Sequence, residues 1–189
     1  MSHHIVAADR LSFSYPDGTA ALRFVSFCIH HGESVAVIGA NGAGKSTLLQ
    51  HLNGCLTPSS GEVRIGDFPV TAKTLHEVRR TVGMVFQDPD DQLFMPTVFD
   101  DVAFGPLNRG MAPKDVEAQV AAALQAVGAG HLAAKPPYRL SCGEKKRVAI
   151  ATALAMDPAI LVMDEPTAGL DPFSRRDVIK LLKNFSHTR

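Results

Sequence analysis

The stretch that most constrains this chain is GANGAGKST, which runs from Gly39 to Thr47. It fits the pattern G-x-x-x-x-G-K-[ST], with an apolar segment, SVAVI, before it and a helical pattern after it. A loop between a strand and a helix turns backbone N–H groups inward, and the helix N-terminus adds positive potential. The sequence therefore predicts a phosphate-binding loop. Its predicted nucleotide contacts are Gly39, Asn41, Gly42, Ala43, Gly44, Lys45, Ser46 and Thr47.

Four residues give this loop its predicted chemistry. Gly42 and Gly44 let the backbone approach phosphate groups without a Cβ atom in the way. Lys45 brings a positive charge to the β- and γ-phosphates, and Ser46 offers a hydroxyl oxygen to Mg²⁺. An ordinary glycine-rich turn is the alternative interpretation. The predicted strand and helix on either side favour the phosphate loop, with ATP and Mg²⁺ as the bound species.

A second motif, ILVMDEP, places two acidic residues at the end of an apolar run. Such a run is typical of a strand that is buried on both faces of a parallel sheet. The carboxyl end of that strand is expected near the phosphate loop. Asp164 is predicted to hold Mg²⁺ through its water shell, and Glu165 to accept a proton from an attacking water or to polarise it. Taken alone, two acids after a strand also suit a solvated surface.

The order of the predicted elements indicates an α/β fold. Segments rich in Val, Ile and Phe predict strands through the first third, around one short helix, KSTLLQHLNG, that Gly54 closes. Residues 98–134 are predicted to be mostly helical, and within them Val116, Val120, Leu124 and Val127 recur at helical spacing. A further helix is predicted to begin after Ser141 as N-cap, and a last one after Asp171, with Pro172 in its first turn.

We therefore predict a single domain with an insertion, since no repeat, low-complexity tract or linker is visible. The predicted nucleotide-binding core consists of residues 1–97 and 157–189, and the predicted helical signature subdomain of residues 98–156.

Charge, hydropathy and cysteine content narrow the functional classes. The chain has 19 Lys and Arg against 19 Asp and Glu, so there is no electrostatic reason to expect nucleic-acid binding. Its longest nearly uninterrupted apolar run, VAIATALAM, is too short to span a bilayer, and no export signal is visible. Three widely spaced cysteines fit neither a disulfide framework nor a CxxC metal site, which favours a reducing cytosol.

Between the two motifs lies LSCGEKKR, and the three together resemble the ATP-binding subunits of ABC transporters over essentially the whole chain. The signature of that family begins Leu-Ser-Gly-Gly, which Leu140 to Gly143 match except at Cys142, and Glu144 follows. The resemblance implies a P-loop NTPase fold. It would have an N-terminal antiparallel β region, a RecA-like parallel sheet and an inserted α-helical subdomain, with the C-terminal part of the fold missing from these 189 residues.

The resemblance also implies that two copies of the chain bind two ATP molecules head to tail between them. Ser141, Gly143 and Glu144 of one copy would contact the ATP held by the phosphate loop of the other. The other implied contacts are Gln87 with Mg²⁺ and the attacking water, Tyr15 with the adenine ring, and Asp171 with the nucleotide.

Two sets of residues follow from the motifs and the resemblance together. The predicted catalytic residues are Glu165, Lys45 and Gln87. The predicted Mg²⁺ ligands are Ser46, Gln87 and Asp164.

The segment GMVFQDPDDQLFMPTVFDDVAFGPLNRG gives a narrower resemblance, to energy-coupling-factor ATPases, the motor subunits of bacterial cobalt, nickel and vitamin importers. The lone ATPase of cobalt- and nickel-type systems is most similar. In that family the segment receives the coupling helix of a membrane subunit, so residues 88–108 are predicted to bind integral membrane subunits. Phe94, Phe99 and Phe104 either form that contact or belong to the core of the helical subdomain.

Cys142 is the first departure from the family pattern. If the position needs a positive φ, cysteine there costs roughly 1–2 kcal/mol. If it needs close approach to phosphate, the Cβ atom would crowd a closed dimer; if it is merely helical, cysteine costs little. We predict a signature that is weakened but not abolished, and faster ATP turnover when glycine is restored.

A second departure concerns the switch histidine, which the family carries on the strand after the last helix. The sequence ends at Arg189, where that strand is expected, and His187 lies in the preceding turn and is not assigned the role.

The motifs and the two resemblances together predict that the chain is the ATPase motor subunit of a bacterial importer for cobalt or nickel. It would be a homodimer, peripheral to the cytoplasmic face of the inner membrane, without a membrane span of its own. One alternative is an ATP-binding subunit that does not hydrolyse ATP. Another is a soluble ABC ATPase outside transport, which would usually carry a basic face, a coiled-coil insertion or a second domain.

Overall fold

Alternating apolar and polar residues in the first third of the chain produce an antiparallel sheet. The structure is a computed structural model that describes residues 4–186 and, of these, the side chains of all but residues 4, 5, 184 and 186. The four strands are β1 (His4–Ser14), β2 (Ala20–His30), β3 (Ser60–Ile65) and β4 (Phe68–Pro69). They lie in the order β2-β1-β3-β4 and pair antiparallel throughout. These four strands confirm the strands that the sequence predicts for this region, except the one predicted at SVAVI.

The side chains on one face of this sheet form the core of a first compact unit, which ends at Val82. Val6, Ala8 and Leu11 of β1 and Val63 of β3 are almost completely buried. Two helices complete the unit, α1 (Lys45–Leu52) and α2 (Leu75–Thr81).

Helix α1 is the short helix predicted after the phosphate loop, and Gly54 closes it as predicted. Gly54 has a φ of 69°, and a Cβ atom there would stand 2.1 Å from Cδ2 of Leu75. Both its left-handed backbone and its surroundings therefore favour glycine.

The second compact unit begins at Gly83 and is mainly helical. Its elements, which follow the strand β5 (Val82–Val85) at the junction, are α3 (Val98–Asn108), α4 (Pro113–Ala126), α5 (Cys142–Leu154), β6 (Ile160–Met163) and α6 (Pro172–Ser186). The predicted helical spacing in α4 is confirmed, because Val116, Val120 and Leu124 are all buried. These side chains share one apolar core with α3 and with the buried face of α5.

Strands β5 and β6 form a two-stranded sheet. The Asp164 N–H donates to the Val85 carbonyl at 2.9 Å, which continues their pairing to the first acid of the ILVMDEP motif. The prediction that this strand is buried on both faces is wrong, because only Val162 of β6 is fully buried. Apolar composition gives strand propensity, whereas burial depends on which elements pack against each face.

The segment SVAVI before the phosphate loop also differs from its prediction. It is not a strand, and Val35 and Ile38 are 58% and 91% exposed. A strand exists only where another strand accepts and donates its backbone hydrogen bonds. Within residues 4–186 this segment has no strand partner, so its β-branched composition alone does not produce a strand.

No helix within the described part of the chain is long and apolar enough to cross a membrane. The proposed division into a core of 1–97 and 157–189 and an insertion of 98–156 remains a prediction.

Candidate nucleotide-binding site

The predicted phosphate loop ends in a helix whose first turn is open to a ligand. Gly44, at the N-cap of α1, has a φ of 88°, and in the described part of the chain no side chain caps this helix end. The N–H groups of a first helical turn have no acceptor within the helix, so this turn suits an anion. The Lys45 ammonium donates to the carbonyls of Gly39 and Ala40 at 3.2 and 3.0 Å, which places its charge over the loop.

The predicted adenine-stacking residue is fixed beside the same helix. The Tyr15 hydroxyl lies 2.8 Å from Oγ1 of Thr47, and its ring packs edge to face on Phe13 at 5.1 Å. Phe13 in turn packs against His51, which is fully buried and bonded through Nδ1 to the Thr47 carbonyl. Burial lowers the pKa of His51, so the ring stays neutral in this core. Tyr15 remains 38% exposed, which leaves a ring surface for stacking.

The second unit brings together the acids and the glutamine that the sequence predicts. Asp164 follows β6 and is only 4% exposed. The Gln87 amide Nε2 donates to Oε2 of Glu165 at 3.1 Å, although 78 residues separate the two in sequence. Glu165 has a φ of 40°, a left-handed conformation that is uncommon outside glycine and concentrates at functional sites. Its carbonyl accepts from the Ala168 N–H at 2.9 Å, which helps to hold this turn.

Each unit, taken by itself, carries oxygen atoms of the kind that Mg²⁺ prefers. Mg²⁺ takes oxygen ligands, and it is usually held by one or two carboxylates together with substrate phosphates. In the second unit, the buried Asp164 carboxylate accepts no hydrogen bond from the described residues, so its oxygens are available. In the first unit, the same holds for the Ser46 hydroxyl oxygen. Gln87 uses its amide nitrogen toward Glu165, which leaves its oxygen for a ligand.

Sequence reasoning missed Lys146, a lysine that is fully buried in the second unit. Its ammonium donates to the Gln87 carbonyl at 2.6 Å and lies 3.5 Å from the Phe86 carbonyl. Burial lowers the pKa of Lys146, while electrostatic interactions with Cys142, Asp88, Asp164 and Glu165 act in the opposite direction. The available signal was its position, since Lys146 precedes the buried Ala149 and Ile150 by three and four residues and so shares their helix face.

The signature segment forms a capped helix start, as predicted. Ser141 is the N-cap of α5, and its Oγ accepts from the Glu144 N–H at 3.3 Å. The Glu144 carboxylate accepts in return from the Ser141 N–H and hydroxyl, both at 2.8 Å. This capping box lowers the pKa of Glu144, chiefly through the backbone bond. The carboxylate therefore occupies the N-terminal end of α5 and accepts from both the backbone and the hydroxyl of Ser141.

The two positions after Ser141 differ in what they require. Cys142 is the exposed first residue of α5 and is not among the residues with positive φ, which excludes the first of its three interpretations. Gly143 is buried, and a Cβ atom there would stand 2.8 Å from Oγ of Ser174 in α6. Packing against Ser174 thus favours glycine at 143, whereas position 142 tolerates a side chain in the single chain.

Asp171 caps the last helix, as predicted. Its Oδ1 accepts from the N–H groups of Phe173 and Ser174 at 2.9 and 3.1 Å. Hydrogen bonds from Ser174 lower its pKa. A nucleotide contact by Asp171 stays a prediction, and His187 lies outside the described residues.

The phosphate loop and the Asp164–Glu165 turn define the class of protein as a P-loop nucleotide-binding protein. The family model described as ABC transporter matches residues 22–168, well over half of the chain. The chain therefore belongs to the ABC transporter family of ATP-binding domains, and its relatives include energy-coupling-factor ATP-binding proteins. ATP-binding domains of this family are ATPases coupled to transport, which confirms the class of enzyme that the sequence predicts.

Three individual proteins illustrate the relationship. The energy-coupling factor transporter ATP-binding protein EcfA of Methanocaldococcus jannaschii is 55% identical over 181 residues, which are 95% of this chain and 65% of that protein. The structure of cbiO1 from Clostridium perfringens, part of the ABC transporter complex cbiONQ, is 43% identical with a TM-score of 0.84, covering 98% of this chain and 74% of that one.

The third is the ATP-binding cassette MJ0796, solved as a dimer in a post-hydrolysis state bound to ADP and Pi. It is 30% identical with a TM-score of 0.85, over 96% of this chain and 83% of that one. The fold prediction is confirmed by these structures. The chain spans about two thirds of the length of the relative EcfA.

A matched pair of glycine substitutions tests the geometry of the phosphate loop. Gly42 and Gly44 both have positive φ, so Ala at either position is strained by about 1–2 kcal/mol. Only at Gly44 would the new Cβ atom also meet backbone, the Ala21 carbonyl oxygen at 2.6 Å. We expect Gly44→Ala to lower the free energy of unfolding, measured by urea denaturation, by about 1 kcal/mol or more beyond Gly42→Ala. Equal losses would contradict this packing.

The remaining interpretations of Cys142 are separable by side-chain size. If its Cβ atom crowds a closed dimer, Cys142→Gly raises ATP turnover and Cys142→Ala does not, because alanine keeps the Cβ atom. If only the sulfur crowds, both variants raise turnover. Unchanged turnover in Cys142→Gly, measured as phosphate release at saturating ATP, would show that cysteine is tolerated in the signature without cost.

Proposed function

We propose that this chain binds Mg²⁺-ATP and hydrolyses it as the motor subunit of an energy-coupling-factor importer, with cobalt or nickel ions as the transported substrate. The observation that carries the proposal is the hydrogen bond of Gln87 to Glu165 next to the buried Asp164. A glutamine and a glutamate held together in this way can orient and polarise one water molecule. The choice of cobalt or nickel rests on the resemblance to lone-ATPase systems and is supported by the likeness to cbiO1.

Within this proposal each residue of the site has one task. The first turn of α1 and the Lys45 ammonium bind the phosphates. Ser46, Asp164 and Gln87 would hold Mg²⁺, which when bound offsets charge on the phosphate oxygens. Glu165 accepts a proton from the attacking water or polarises it.

The signature helix would act on a second copy of the chain. The Ser141 hydroxyl and the N–H groups of the first turn of α5 suit a γ-phosphate, once Glu144 releases them. A γ-phosphate shared by two copies would favour a closed dimer, and its loss on hydrolysis would favour opening. The MJ0796 cassette, which is dimeric with ADP and Pi bound, supports the dimer in this proposal.

The proposed membrane contact is a pair of exposed aromatic rings within residues 88–108. Phe94 and Phe104 are 64% and 43% exposed and pack edge to face at 5.1 Å, whereas Phe99 packs against the helical core. Large exposed apolar side chains that lie together are typical of protein interaction sites. We therefore assign Phe94 and Phe104, and not Phe99, to the contact with an integral membrane subunit. This contact would hold the chain at the cytoplasmic face of the membrane.

Two substitutions separate binding from hydrolysis. Lys45→Ala removes the charge that faces the phosphates, so we expect ATP affinity, measured by titration with a fluorescent ATP analogue, to fall about tenfold or more. Glu165→Gln keeps the side-chain shape, so we expect unchanged affinity and turnover lower by about 100-fold or more. Wild-type chain that binds ATP without phosphate release would instead support the alternative of a subunit that does not hydrolyse ATP. An absence of ATP binding would contradict both the proposed motor function and this alternative.

The aromatic pair is tested by co-purification. We expect the Phe94→Ala, Phe104→Ala double variant to lose most of its co-purification with the cognate membrane subunits while its ATP affinity is kept. Phe173→Ala is the matched control, because Phe173 is 79% exposed in α6, outside the proposed contact. Equal recovery of the double variant and the control would contradict the assignment.

A further inference from the structure

The buried ammonium of Lys146 has an unusual set of partners. A charged amine that is removed from water is strongly destabilising unless its charge is compensated. Within residues 4–186, its only hydrogen-bond acceptors are the carbonyl oxygens of Phe86 and Gln87, at 3.5 and 2.6 Å. Both belong to the short segment that carries the Gln87 side chain toward Glu165. Among the described residues, the cation thus binds backbone carbonyl groups and makes no direct ion pair.

Gln92 holds the same segment from its other side. Its Oε1 accepts from the Phe86 N–H at 3.0 Å. Its Nε2 donates to α5, to the Ala149 carbonyl at 2.9 Å and to Oγ1 of Thr152 at 2.6 Å. The N–H and the C=O groups of this segment are therefore both connected to α5, through Gln92 and Lys146 respectively.

We propose that Lys146 is a positioning residue that, together with Gln92, attaches the backbone of Gln87 to the signature helix. The attachment holds the Gln87 side chain toward Glu165. It also couples the position of Gln87 to the position of α5, the helix that begins after Ser141. Lys146 lies five residues after Ser141, about 7–8 Å along the helix. A displacement of α5 when Ser141 binds the partner's γ-phosphate would move Gln87 with it. The proposal deepens the proposed function, and its hydrolytic part rests on that function.

Lysine suits this task better than an apolar residue that would fill the same space. Methionine has a similar length and would remove the buried charge, but it cannot donate to two carbonyl groups. In Lys146→Met the Phe86 and Gln87 carbonyls lose their donor while the packing of α5 is kept. The neighbouring Lys145, whose side chain is 18% exposed, pairs with the Asp90 carboxylate at 2.6 Å. Lys145→Met is therefore the matched control, because it removes a side-chain contact between α5 and the same segment but leaves the donor to the Phe86 and Gln87 carbonyls in place.

The test is a double-mutant cycle in ATP turnover with the full 189-residue chain. We expect Lys146→Met to lower kcat about tenfold or more with KM for ATP unchanged within about twofold, the range seen when a partner of a metal ligand is lost. We expect Lys146→Met to have no further effect in a Gln87→Ala background, since both act through the same side chain. Lys145→Met should keep near wild-type kcat. Fully additive losses, or a rise in KM that accounts for the loss, would overturn the proposal.

A second measurement does not need turnover. Backbone amide exchange, followed by mass spectrometry, should become faster in the peptide that contains residues 86–92 of Lys146→Met, with exchange in α3 and α4 unchanged. Gln92→Met should show the same local effect, and it replaces Lys146→Met if that variant does not fold. If wild-type chain binds ATP without turnover, the hydrolytic part of the proposed function fails, and exchange alone decides whether the attachment exists. Unchanged exchange in 86–92 would overturn it.

Discussion

The burial of helix α5 is the constraint on which the second unit depends. Its apolar residues Val148, Ala149, Ile150 and Ala151 are completely buried among α3, α4 and the strands. Because one face is fixed by packing, the helix presents its capped N-terminus and the Lys146 ammonium in defined positions. The site residues of this unit are therefore positioned by the same hydrophobic core that stabilises it. A shift of the helix would be transmitted to all of them together.

The first unit uses a different constraint, the conformation of the phosphate loop. Gly44 has a backbone conformation and a close neighbour that exclude other residues, and it begins α1 without a side-chain cap. Tyr15 is tied to the same helix through Thr47. Backbone geometry thus keeps the N–H groups of this turn available, and one aromatic residue is held next to them. Such a preformed anion site lowers the entropic cost of binding a nucleotide.

Much of this arrangement could be predicted from the sequence, because the motifs encode local geometry. The helix starts at Ser141 and Asp171 and the glycine at position 54 follow from capping rules that involve only neighbouring residues. The strand predicted at SVAVI was wrong because strand formation depends on a partner strand, which composition does not specify. Lys146 was missed for a related reason, since its role depends on carbonyl groups some 60 residues away in the chain. Similarly, only the structure could separate the exposed Phe94 and Phe104 from the packed Phe99.

The most direct test of the central claim, that this chain is an ATP-driven motor, is the sedimentation coefficient of Glu165→Gln with each nucleotide. This variant should bind Mg²⁺-ATP without consuming it, so the γ-phosphate persists. We expect a dimer with saturating Mg²⁺-ATP and a monomer with Mg²⁺-ADP at the same protein concentration. A monomer in both nucleotides, with ATP shown to be bound, would contradict the proposed role of the signature helix and the motor function built on it.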